Sequence, residues 1–335
     1  MESTRHRVYE PHLGEPAATD PLEVAILDKT RSHLITTGAF AALAAALILL
    51  FLPGGAGRGT VAGACAALAG HRVLLLIRRV RPLAKLLELP TVVLTPGPGQ
   101  LRVSGTTVSI ALPGPGPRWA RARMPRSKQL VLARERRVFM LGPDRRGRLV
   151  LAAPGSIAGH FGRVRPTPAA GSGEPPAGTT VSAAFLGESQ RRAALTIALA
   201  PVAGALVWVI AEMFPGGSPV GGAIGGGAAY LAFAIVRLVH VRRLARAART
   251  GDWTELGATL DTPITPGSPG TGHATGRVTM PDGTVVHARF GRQPLDLLVN
   301  VRATGRLWVL GTPERGTAVV AGLPDHPVLG PVRLG

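Results

Sequence analysis

Leu34–Leu52, LITTGAFAALAAALILLFL, runs 19 residues without a charge, and its reading decides the class of the chain. At about 1.5 Å per residue a helix of that length crosses the roughly 30 Å of bilayer hydrocarbon. A 33-residue polar tail precedes it, with six acids, four bases and Pro11, Pro16 and Pro21. A signal peptide has a shorter basic leader and a small-residue cleavage site, so a retained helix is expected, with residues 1–19 of the tail disordered.

Three further stretches follow, the first of them weaker. Thr60–Ile77 carries His71 and Arg72 in its last third, where an arginine can snorkel to the interface; a re-entrant segment is the alternative. Ala194–Phe214 is broken only by Glu212 near its end, and Pro219–Val241 only by Arg237. Arg78, Arg79, Arg81 and Lys85 follow the second stretch, and Arg242, Arg243, Arg246 and Arg249 the fourth. The intervening turns Pro53–Gly59 and Pro215–Ser218 contain only Arg58. Basic residues stay on the cytoplasmic side, so the termini and both long polar segments are expected there, at the plasma membrane. Gly59/Gly63, Gly221/Gly225 and Gly222/Gly226 are G-x-x-x-G pairs, expected to let helices pack closely as a bundle or a homo-oligomer face.

The polar segments read as short strands. Val138–Gly142 matches Leu307–Gly311, Arg146-Gly147 matches Arg315-Gly316, and each match is offset by 169 residues. This ordered series indicates an internal duplication. Expected strands include 130–134 and 137–141 in the first copy and 297–302 and 306–310 in the second, with Pro281-Asp282-Gly283 as a hairpin turn. The expected fold class is therefore four transmembrane helices in two hairpins, each hairpin followed by a small cytoplasmic β barrel or sandwich. The segments are a tail (1–33), hairpin (34–77), β domain (78–162), flexible linker (163–192), hairpin (193–241) and β domain (242–335).

Charge is uneven. The chain carries a net +19, of which residues 72–165 hold 19 Lys/Arg against Glu88, Glu135 and Asp144. The densest run is Arg118, Trp119, Arg121, Arg123, Arg126 and Lys128. Each such cation near an anionic leaflet contributes roughly 1 kcal/mol, and tryptophan favours the interface. A protein partner would suit the same run. Nucleic-acid phosphates are a distant third reading, and a solvated strand edge that discourages aggregation is the ordinary one. Cys65 stands alone, and His33, His71, His160, His240, His273, His287 and His326 lack metal-site spacing, so neither cofactor nor metal is expected. No nucleotide-binding or hydrolase fingerprint occurs.

In composition and topology the whole chain resembles uncharacterised multipass membrane proteins of the high-GC actinobacterial type. The expected role is a non-enzymatic membrane scaffold or interaction protein. The alternative is a membrane-tethered ligand sensor or an accessory subunit of a membrane complex.

Overall fold

The apolar run lies in the first long helix, α1 (Pro21–Phe51). Its start is defined locally: Asp20 Oδ1 accepts from the Leu22 backbone N–H at 2.9 Å, and Pro21 occupies the first turn, where its missing N–H costs nothing. The computed structural model describes residues 8–51, 56–157, 159–171, 173, 181–198, 252–267 and 270–335, with single positions between 228 and 242. Two compact units result. One contains Thr30–Arg81 and Gly187–Ala245; the other contains Met1–Lys29, Pro82–Leu186 and Arg246–Gly335.

In the first unit, α2 (Ala56–Leu75) runs into a π-turn (Leu76–Val80); α3 (Arg81–Leu87) follows it and belongs to the other unit from Pro82 onwards. Among the described residues, Pro21–Leu50 and Val61–Leu87 are long and apolar enough to cross a membrane, with mean hydropathies of 2.0 and 1.5. Phe40, Leu43, Leu47 and Leu50 on α1, Val73 and Leu74 at the end of α2, and Ile77 in the π-turn are exposed. A Cβ added at Gly38 would lie 3.3 Å from the Arg72 Cβ, so the stem of Arg72 packs on α1. The four-helix membrane class is corrected accordingly: among the described residues two such helices are present, not four. The third and fourth expected spans, and Gly221, Gly222, Gly225 and Gly226, fall mostly or wholly outside the described residues. Gly59 and Gly63 face open space.

The other unit holds two β modules. The first has β1 (Thr91–Leu94), β2 (Leu101–Ser104), β3 (Thr107–Ala111), β4 (Trp119–Arg123), α4 (Arg126–Glu135), β5 (Val138–Leu141), β6 (Arg148–Ala152) and β7 (His160–Arg165). Helix α5 (Val181–Ala198) begins inside the expected linker, with Val181 in this module's core. The second module has β8 (Trp253–Leu260), β9 (Thr265–Pro266), β10 (Thr271–Thr279), β11 (Val285–Pro294), α6 (Leu295–Thr304), β12 (Arg306–Leu310), β13 (Ala318–Gly322) and β14 (Leu329–Leu334).

Both modules share one antiparallel pairing order. The first runs β1-β5-β6-β7-β4-β3-β2; the second runs β8-β12-β13-β14-β11-β10, with β9 also on β10. In the second, β10 also pairs with β8, closing a six-stranded barrel. The first stays a curled open sheet. Its β1 is four residues long, bounded by Pro90 and Pro96, and cannot reach β3; β2 takes that edge instead.

Residues 130–134 and 297–302 are helical, not strands. Each lies in a ten-residue helix that follows a proline and ends in a left-handed residue, Arg136 (φ 52°) or Gly305 (φ 67°). A short apolar run has no periodicity to separate helix from strand, whereas the preceding proline marks both helix starts and Gly305 marks the end of the second. Leu297, Leu298 and Val301 of α6 enter the barrel core beside Phe290 and Leu307.

The open sheet's edges are covered. Val103 of β2 exchanges backbone hydrogen bonds with Gly173, and Thr91 of β1 does so with Gly14 and Glu15 of the tail. The expectation that residues 1–19 are disordered is therefore corrected for residues 8–19: backbone pairing with Thr91 and burial of Tyr9 order them.

At the barrel seam a Cβ on Gly276 would collide with the Thr259 carbonyl oxygen. Gly276→Ala should open the β8–β10 seam and destabilise the barrel by about 2 kcal/mol or more. Hydrogen exchange should show the loss of protection first at 257–260 and 276–279.

Candidate functional site: a basic sheet face and a polar clasp

Strand alternation sorts the basic run. Ala120 and Ala122 are buried in the core of the first module, which turns Trp119, Arg121 and Arg123 to the outer face of β4. Strand β7 adds Arg163 opposite Arg121 and Arg165 opposite Trp119, and the Arg102 guanidinium lies 5.5 Å from the Trp119 ring centre. The face thus combines Arg102, Trp119, Arg123, Arg163 and Arg165, contributed by three strands. Arg102, Arg163 and Arg165 are 17 to 46 residues away from Trp119 in sequence; the alternation in Phe161–Arg165 is the available signal.

Four members of the expected run do other work or lie off the strand. Arg121 donates to the Thr167 carbonyl at 2.9 Å and to the Pro168 carbonyl, which holds residues 167–169 against the sheet. Arg126 is on α4, off the strand. Lys128 is withdrawn altogether: its side chain is 13% exposed, donates to Ser156 Oγ and lies 3.3 Å from Asp296 Oδ2. Arg118 precedes β4, with its guanidinium against Gly114.

Lys128 leads to a polar clasp where the two modules and the tail meet. Asp296 and Asn300 are one turn apart on α6 and point the same way. Asp296 Oδ1 accepts from the Ile157 N–H at 2.9 Å, and its Oδ2 from Ser156 Oγ at 3.1 Å. Asn300 is fully buried; its Nδ2 donates to the Gly155 carbonyl at 2.8 Å and its Oδ1 accepts from the Tyr9 N–H at 2.7 Å. Gly155 N–H in turn donates to the Tyr9 carbonyl at 3.1 Å. Tyr9, Leu22 and Ile157 supply apolar backing in the barrel's own cluster. Arg302 to Asp20, Arg134 to Asp325 and Arg137 to Glu10 add ion pairs around the rim.

Burial sets the protonation states here. The Tyr9 phenol is held well above its usual range by burial, and then by the Glu23 and Asp20 carboxylates. Burial, and then the Lys128 charge, push His160 down to about 4, against opposing contributions from Asp296 and the Arg123 backbone. His326, packed against Gly155, is lowered by burial. Among the described residues no three His, Cys, Asp or Glu side chains gather as a metal site would require. Chemically the clasp is a lock: its charges and amide are spent on joining segments 9, 128, 155–157 and 296–300.

The fold and site define a chain with two apolar helices and two like-ordered β modules joined through a buried polar cluster. Compared with protein-family models, curated proteins and solved structures, it gives no match.

Two outcomes are expected of the clasp. Asn300→Ala leaves the Tyr9 N–H and the Gly155 carbonyl without their buried partner and should cost about 2–4 kcal/mol, measured by urea unfolding. Separately, His160 binds its proton less readily folded than unfolded, so stability is full above its ordinary pKa of 6.5 and falls as pH drops towards 4. The loss should reach no more than about 3 kcal/mol. His326 acts in the same direction, so unfolding curves of His160→Gln/His326→Gln should be flatter across that window.

Proposed function

We propose that the chain is a non-enzymatic, membrane-anchored interaction protein that holds its paired β modules beside an anionic leaflet. Helices α1 and α2 anchor it in the plasma membrane as two crossings. The tail and both modules lie on the cytoplasmic side, where the Arg78, Arg79, Arg81 and Lys85 cluster after α2 would hold them. The reading rests chiefly on the outer face of β4 and β7. Arg123, Arg163 and Arg165 stand there beside Trp119 without an ion-pair partner among the described residues, on a module with only three acids between residues 72 and 165. Cations that neutralise no carboxylate of their own chain suit phosphate headgroups, and a tryptophan among them suits the headgroup layer. A protein partner would meet both modules as one surface, because the clasp joins them.

The test compares hydrogen exchange of the full chain in nanodiscs of neutral and of anionic lipid. Residues 119–123 and 160–165 should exchange more slowly in anionic discs. The difference should vanish in Arg123→Gln/Arg163→Gln/Arg165→Gln and shrink as salt screens the face. Equal exchange in the two discs at low salt would sink the lipid reading, and protection by added RNA or DNA instead would replace it with nucleic-acid binding.

A further inference from the structure

Three arginines of the second module are ion-paired. Arg277 pairs with Asp261 at 3.0 Å, Arg306 with Glu255 at 2.6 Å and Arg302 with Asp20 at 3.5 Å. Arg289 on β11 and Arg333 on β14 have no such partner among the described residues, and they stand directly opposite each other in the strand register. Like charges at opposed positions repel. Across the other neighbouring strand, Thr275 of β10 is the register partner of Arg289, and His287 lies two residues before Arg289 on the same face. Together these side chains line a surface cleft of about 500 Å³ on the outer wall of the barrel.

The first module contains the same row with an occupant. There the hydroxyl–arginine–arginine line is Ser109, Arg121 and Arg163, again register partners across three strands. Residues 167–169 of the chain lie on it: Arg121 donates to the Thr167 and Pro168 carbonyls, and Ser109 Oγ accepts from the Ala169 N–H at 3.1 Å. In the second module the equivalent row, Thr275, Arg289 and Arg333, opens on the cleft.

We propose that this cleft binds an oxyanion of the phosphate class between Arg289 and Arg333, with the Thr275 hydroxyl completing the donors. Planar guanidinium forks match tetrahedral phosphate oxygens, and a dianion between them turns their mutual repulsion into attraction. The donors sit on strands of a closed barrel whose inward neighbours Ala288, Val332 and Leu334 are buried, so little ordering is needed on binding. A phosphate of this kind can belong to a lipid headgroup or to a soluble phosphate ester. The site is separate from the β4–β7 face.

The test titrates inorganic phosphate into the full chain in neutral phosphatidylcholine nanodiscs, followed by calorimetry and phosphorus NMR. Saturable binding is expected. Arg289→Gln or Arg333→Gln should each weaken it about tenfold, whereas Arg306→Gln and the triple variant of the β4–β7 face should leave it unchanged. That last control separates this site from the proposed lipid-facing one. Phosphatidic acid added to the same discs then identifies the source: competition with inorganic phosphate assigns a headgroup, and its absence assigns a soluble ester. No saturable binding by the natural chain, or equal binding by Arg289→Gln/Arg333→Gln, would overturn the proposal.

Discussion

One helix face governs the β unit. On α6, Leu297, Leu298 and Val301 are buried in the barrel core while Asp296 and Asn300 carry the polar contacts of the clasp. A buried amide and a nearly buried carboxylate are costly unless every donor and acceptor is met. The partners that meet them are Tyr9, Lys128 and the 155–157 turn, each far away in the chain. Two modules and a tail that could each have been independent are thereby held in one arrangement. The clasp's charges lose water in forming it, so the net stabilisation is small while loss of one partner is costly.

The two modules show how one strand order diverges. Closure needs β8 and β10 to come together, and Gly257 and Gly276 lie in the paired stretch. In the first module, prolines shorten the matching strand, so the sheet stays open and its edges are covered by the tail and by Gly173. The hydroxyl–arginine–arginine row differs as well: in the first module Ser109 and Arg121 are covered by residues 167–169, and in the second the row faces a cleft. A row that binds backbone carbonyls in one copy is already shaped for oxygen acceptors in the other.

Much of this was legible beforehand in pieces. The 169-residue offset that matches Val138–Gly142 with Leu307–Gly311 also relates α4 to α6 and β7 to β14. Strands β4 and β7 carry a weak sequence signal because their outward residues are arginines, which dilute the apolar alternation that marks a half-buried strand. The tail looked unstructured because its own composition is polar and proline-rich, and its partners at Thr91, Gly155 and Asn300 are remote. Of the expected site, Trp119, Arg121 and Arg123 share a face as strand periodicity requires, whereas Lys128 was miscast. Its charge reads as surface in sequence, and only Asp296, 168 residues away, explains its burial.

By itself the sequence determined what depends on neighbours along the chain: the apolar length of α1, the repeat of short strands and the concentration of positive charge before residue 165. Helix length, turn chemistry and local charge are properties of contiguous residues. Tertiary structure decided which sheet closes, which arginines remain unpaired and which lysine is withdrawn into the clasp. Those outcomes depend on pairings that reach from 16 residues at the barrel seam to 291 in the clasp, where loop-closing contacts and burial outweigh local preference.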